Sequence, residues 1–180
     1  MYSVANHSDD EDVLQRQAEM SPIFSELGID VVLMGHDHVY TRTYMMDGTT
    51  PVIPEDGSVP SSVTDPAEGQ VLYVTANSSS GSKYYNIRNV EFPYAAVMNQ
   101  EQTPNITKID VTANSFTITT YRVSDMSVVD TFTINRTSTE PTVSSVTVSP
   151  ETATVEVGKT QSFQAVVTGE NDPAQTVTWT

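Results

Sequence analysis

Cysteine is absent from this 180-residue chain. Disulfides and thiolate metal sites are therefore excluded, and any metal would have to be held by nitrogen and oxygen donors. Basic residues are scarce: eight lysines and arginines stand against 23 aspartates and glutamates, giving a formal net charge of −15 and a pI near 4.2. Phosphate backbones are gripped by basic stripes, and none exists, so nucleic-acid binding is not expected. The acidic excess fits the solubility of a secreted or surface protein and a need for cations. Nowhere do about 18 apolar residues run together, so no membrane span is expected, and no signal-peptide pattern opens the chain. The start MYSVANHSDDEDV is abrupt and the end QTVTWT stops inside a strand-like pattern, so the chain reads as a piece of a longer protein. Histidine occurs only three times, yet two copies sit one residue apart in VVLMGHDHVYTRTY, residues 31–44.

The apolar spacing over 12–27 predicts a helix, interrupted at Ser21–Pro22, with Gly28 as its stop. IDVVLM, 29–34, is a continuous β-branched run of the kind that forms a strand covered on both faces. Residues 45–69 are rich in Pro, Gly, Asp, Ser and Thr and read as one long loop. QVLYVTA, 70–76, is the next strand, and NSSSGSKYYNI, 77–87, is a polar connection of the kind that often carries function. Clean alternation over 106–134 predicts a three-stranded antiparallel meander. TSTEPTVSS reads as a linker, and short strands then resume at the spacing of a β-sandwich.

A strand running into Gly35 and a tight turn delivers side chains to the carboxyl end of a sheet, where ligands bind in open α/β proteins. In an extended chain residues two apart share a side, so His36 and His38 are expected to point together. Neutral imidazole is the commonest nitrogen ligand for zinc, iron and manganese, and a metal site is the chemistry this pair suggests.

GIDVVLMGHDHVYTRTY resembles the last signature of the calcineurin-like metallophosphoesterases, above all the purple acid phosphatase branch, whose pattern runs apolar strand, then G-H-x-H-x-Y-E-R. MYSVANHSDD is similar to the family's stretch just after a metal-binding histidine. QVLYVTANSSSGSKYY resembles the strand and loop of bacterial secreted members. The resemblance covers about residues 1–135. It implies an α/β fold, the C-terminal part of a four-layer α/β/β/α sandwich holding two metal ions (iron, zinc or manganese). It also implies hydrolysis of phosphate mono- or diesters. His36 would ligate one metal and His38 the other, and His7 would face the substrate phosphate as hydrogen-bond donor or acid. Asp37 would point away from the metals. Tyr40 and Arg42 match the family's Y-x-R, with Thr41 where glutamate is usual, and would orient the loop.

The departure from the family lies in what is missing. An aspartate pair with a tyrosine, an asparagine–histidine motif and a further histidine would all fall upstream of Met1. The acidic run Asp9, Asp10, Glu11 and Asp12 reads instead as a solvated helix start. Two histidines cannot hold two metals, which sit about 3.5–4 Å apart and need bridging donors. Activity is therefore expected of a full-length parent, and the chain alone is expected to be an inactive fragment.

VSSVTVSPETATVEVGKTQSFQAVVTGENDPAQTVTWT resembles the first half of a bacterial Ig-like domain, with Trp179 as a core residue. The expected organisation is a partial metallophosphoesterase domain over 1–136, a linker over 137–142 and a truncated, all-β Ig-like domain over 143–180. Such a module implies an extracellular or cell-envelope location in a bacterium, with contact to a cell surface or polysaccharide. Two alternatives stand beside this reading: a non-enzymatic surface or adhesion β-protein, and a nucleotidase or phosphodiesterase of the same superfamily.

Overall fold

The computed structural model describes residues 2–137 and 140–180. Met1, Ser138 and Thr139 lie outside the described residues, and the last two belong to the linker expected over 137–142. The chain forms two compact units, 1–137 and 138–180.

In the first unit, α1 (Glu11–Glu26) carries Glu11 and Asp12 in its first turn, where the helix dipole favours acids. The helix continues through Pro22 instead of breaking at Ser21–Pro22. A proline costs one intrahelical N–H bond. The turn beside it is held from outside, where the buried Ser21 hydroxyl meets the Tyr2 hydroxyl at 3.0 Å. Gly28, at φ +66°, closes the helix. Its N–H bonds Ser25 O while Ile29 N–H bonds Phe24 O, the paired bonds of a Schellman cap.

One sheet contains β1 (Val31–Met34), β2 (Tyr40–Asp47), β3 (Thr50–Val52), β5 (Gln70–Thr75) and β6 (Ala95–Asn99). Its order is β1-β5-β2-β3, with β6 also on β2. β1 and β5 run parallel, while β2 is antiparallel to β5 and β6. The second sheet is β4-β9-β8-β7, with β4 (Ser62–Thr64), β7 (Asn105–Val111), β8 (Ser115–Arg122) and β9 (Val128–Asn135). The meander over 106–134 is β7–β8–β9, antiparallel throughout.

The sheets meet through Tyr40, Met45, Leu72 and Val74 on one side and Ile118, Phe132 and Ile134 on the other. Burying a side chain of this size stabilises by about 1.5–3 kcal/mol. On the opposite face of the first sheet, Phe24 of α1 packs onto Tyr2, Met46, Val71 and Tyr73. The described residues thus stack as helix, sheet, sheet, three layers where the resemblance implies part of a four-layer sandwich. Among the described residues α1 is the only helix. The other face of β8–β9 is a threonine ladder, Thr117–Thr133 at 2.9 Å and Thr119–Thr131 at 3.0 Å. No helix among the described residues is long and apolar enough to cross a membrane.

Two further expectations give way. The stretch 45–69 is not one loop: it holds β3, joined to β2 by a hairpin at Gly48 (φ +56°), and β4. β1 is not covered on both faces. It is the end strand of its sheet, and Leu33 is 52% exposed.

The second unit contains β10 (Thr142–Ser149) paired antiparallel with β11 (Gln164–Glu170). Among the described residues no further strand forms in this unit, fewer than the strands expected at the spacing of a β-sandwich. Trp179 is 56% exposed, not a core residue, and rests near Phe163 at 6.5 Å. Two strands without a facing sheet cannot enclose an indole.

Candidate functional site

β1 and β5 are parallel, so their carboxyl ends emerge side by side. The Ala76 N–H bonds Met34 O at 2.8 Å, just where both strands end. From β1 the chain turns through Gly35–His36–Asp37–His38 into β2; from β5 it enters the serine-rich connection. The turn is not extended. His36 has φ +80° and His38 φ +45°, the left-handed region, costly for residues with a Cβ. The same-side argument for an extended chain therefore does not apply. The turn itself brings both imidazoles to one pocket of about 280 Å³, walled on its other side by residues 76–80 and Ser82.

The third histidine arrives from the N-terminal segment. Tyr2, Val4 and Ala5 are buried at 2% or less. Thr75 donates its hydroxyl to Tyr2 O, Tyr94 donates to Ser3 O, and Arg88 N–H donates to Val4 O. Burial pushes the Tyr94 hydroxyl well above the ordinary tyrosine range, reinforced by Tyr2 and the Asp37 charge, so it stays a donor. This anchored segment places the His7 ring 4.8 Å from that of His36. Tyr85 lies edge-on to both His7 and His38, at 5.6 Å from each.

Asp37, 2% exposed, faces inward. It accepts from the Ser3 hydroxyl and, at 3.2 Å, from the His7 N–H, so it ties the His7 segment to the His36–His38 turn. Asp10 occupies the N-cap of α1 without capping it. Its carboxylate instead meets His7 Nδ1 at 2.6 Å. A capping bond is worth about 1 kcal/mol, forgone here for an oriented imidazole. Asp9 pairs with both terminal nitrogens of Arg88, and Nη1 also donates to the Ser8 hydroxyl. The acidic run is thus partly engaged at the site.

Tyr40 and Arg42 point the other way, into the space between the sheets. Both are 1% exposed and both bond Asp130 of β9, at 2.7 and 2.6 Å. The guanidinium lies 4.6 Å over the Phe132 ring. Burial, then the Asp130 charge, drives the Tyr40 pKa far up. These two side chains fasten the strand that follows the turn to the opposite sheet.

Sequence reasoning named neither Tyr85, Lys83 nor Asp130. Tyr85 and Lys83 lay inside a connection marked only as polar. Asp130 carried a usable signal: it alternates with Phe132 and Ile134, so an acid on a core face called for a buried cation opposite.

The donor set is incomplete for a metal centre. Among the described residues no group of three histidine, aspartate or glutamate side chains is arranged to hold an ion. Asp37 and Asp10 are committed to Ser3 and His7.

No protein-family model matches the chain, and no curated protein matches it. Among solved structures it is similar to a purple acid phosphatase from yellow lupin (Lupinus luteus) seeds, with a TM-score of 0.60 and 16% identity. The match covers 76% of this chain and 23% of that one. The chain therefore spans less than a quarter of that protein's length, and at this identity the likeness is one of fold.

Proposed function

We propose that residues 1–137 are the C-terminal part of a metallophosphoesterase whose full-length form hydrolyses phosphate mono- or diesters at a dinuclear centre of iron, zinc or manganese. The observation that carries this reading is the gathering of all three histidines at the carboxyl ends of two parallel strands, in a fold similar to a purple acid phosphatase. In this reading His36 and His38 each contribute one imidazole to a metal, and His7, oriented by Asp10, faces the phosphate. The donors present do not complete either coordination sphere, so the chain by itself binds metal weakly and does not turn over substrate. Residues 143–180 are the first part of an Ig-like spacer, which fits a secreted or envelope-attached parent.

Two measurements on the purified chain test this. Zinc titration is expected to move the His36 and His38 ring signals together with the backbone amides of residues 35–39, and the amide movement is expected to vanish in the double variant His36→Ala, His38→Ala. A p-nitrophenyl phosphate assay is expected to give no rate above a His36→Ala control. Histidine rings indifferent to zinc would remove the ligand assignment, and turnover above the control would remove the claim of inactivity.

A further inference from the structure

β7 is the end strand of its sheet, and its hairpin with β8 fixes which of its backbone groups are used. Thr112 N–H donates to Ser115 O at the turn, and Val123 N–H donates to Pro104 O at the far end. Bonded and non-bonded pairs alternate along an antiparallel ladder. On the register that sets Asn105 opposite Arg122 and Val111 opposite Phe116, the even-numbered residues of β7 therefore bond β8 and the odd-numbered ones face away. Asn105 gives its outward N–H to Ser78 O. Among the described residues, no strand lies beside the outward backbone groups of Thr107, Ile109 and Val111.

An open edge of this kind is a template for another strand, and the side chains of β7 say which. Lys108 and Asp110 share one face, 62% and 51% exposed, and pair along the strand at 2.8 Å. A lone lysine on an edge strand discourages pairing. With an aspartate two places on, the strand is complementary to itself in reverse. When a second β7 is laid antiparallel, Ile109 opposite Ile109 of the second copy, Lys108 faces Asp110 of the second copy and Asp110 faces its Lys108. The outward N–H and C=O groups of Thr107, Ile109 and Val111 then meet the same groups of the second copy. The lysine and aspartate fall at the narrow, non-bonded pairs, where side chains come closest. Moving the centre to Lys108 or to Asp110 sets like charges directly opposite, which is destabilising. On the other face Ile109 and Val111, 39% and 70% exposed, gain apolar neighbours.

We propose that two copies of this chain associate through β7, antiparallel about a two-fold axis at Ile109, joining their four-stranded sheets edge to edge. Such a contact is isologous, the same strand serving both copies, and a single strand pair is a small interface, so the association is reversible. β7 carries none of the histidines, and the pairing does not rest on the phosphoesterase reading.

Sedimentation equilibrium of the full chain over a concentration series tests this, and a reversible dimer is expected. Asp110→Lys and Lys108→Asp are each expected to weaken it about tenfold, because attractive cross-strand pairs become repulsive ones. Mixing the two variants in equal amounts restores association, as does the double exchange in one chain. Both side chains are exposed, so unchanged unfolding midpoints certify the folds. The register is read with single cysteines, since the chain has none of its own. Under glutathione disulfide, Ile109→Cys is expected to form a cross-linked dimer, because bonded antiparallel pairs hold their Cα atoms about 5.5 Å apart, within disulfide reach. Val111→Cys, at the more exposed position, is expected not to, because the two copies of that residue lie four places apart along the strands, about 13 Å. Monomer mass up to the solubility limit overturns the proposal. So does a dimer indifferent to the single charge reversals, a mixture no tighter than its components, or Val111→Cys cross-linking as readily as Ile109→Cys.

Discussion

Residues 35–38 and 40–46 follow one another in the chain and meet opposite surroundings. The first group turns through left-handed backbone, exposes His36 and lines an open pocket. The second is buried residue by residue, including Thr41, Arg42 and Thr43 at 1% or less. One contiguous signature thus divides its work: its histidines are presented, and its tyrosine and arginine are spent on the scaffold. The junction is Asp37, which faces the interior while its neighbours face the pocket. Residues that look like one chemical motif need not act at one place, and burial tells the two roles apart.

The division can be broken most sharply at Asp130. Asp130→Ala leaves the buried Arg42 guanidinium unpaired and the Tyr40 hydroxyl without its acceptor. It is expected to cost about 3–5 kcal/mol of unfolding free energy, read by chemical denaturation. His36→Ala and His38→Ala should stay within about 0.5 kcal/mol, as surface changes do. Comparable losses in both sets would dissolve the distinction. Next comes the junction. Asp37→Ala removes the acceptor shared by Ser3 and His7 and is expected to cost about 1–3 kcal/mol, with faster amide exchange at His7. Unchanged exchange there would show that the His7 segment is held by Thr75, Tyr94 and Arg88 alone.

Smaller still is the backbone of the turn. At φ +80° His36 is strained, so His36→Gly should be more stable than His36→Ala by about 0.5–1 kcal/mol; a reversed order would remove the strain from the account. The smallest effect concerns an ion pair at the surface, the counterpart of Arg42–Asp130. Hydrogen bonds from Arg122, then Asn99, hold Glu101 down to about 2 from its ordinary 4.5. A depressed carboxylate stabilises above its ordinary pKa, and that stability fades as pH falls from about 4.5 through about 2. Exposed pairs are worth about 0.2–1 kcal/mol. The melting-point gap between the parent and Glu101→Gln should therefore be slight at neutral pH and close toward pH 2. A gap that widened on acidification would carry the wrong sign.

Much of this was legible beforehand where local pattern decides structure. The helix spacing over 12–27, the stop at Gly28 and the alternation over 106–134 each encode their own element. β2 was not legible: YTRTYMM mixes hydroxyls and a guanidinium into what becomes a buried central strand, where Tyr40 and Arg42 find their acceptor in Asp130, far along the chain, and Thr43 accepts from the Tyr73 N–H. β6, AAVMN, is short and lacks flanking turn signals. At the site, the histidine pair announced itself by its rarity, whereas its same-side geometry rested on an extended chain that the positive φ values exclude. Tyr85 becomes meaningful only once folding lays its ring against both His7 and His38.

The Arg42–Asp130 clamp also sets a clock. Its partners are 88 residues apart, so at ribosomal speeds of about 5–20 residues per second the strand carrying Arg42 waits roughly 4–18 s for its counter-ion to be made. Through that interval the face of β2 that carries Tyr40 and Arg42 waits for β8 and β9. The histidine turn thus leaves the ribosome well before the acid that fastens the strand behind it.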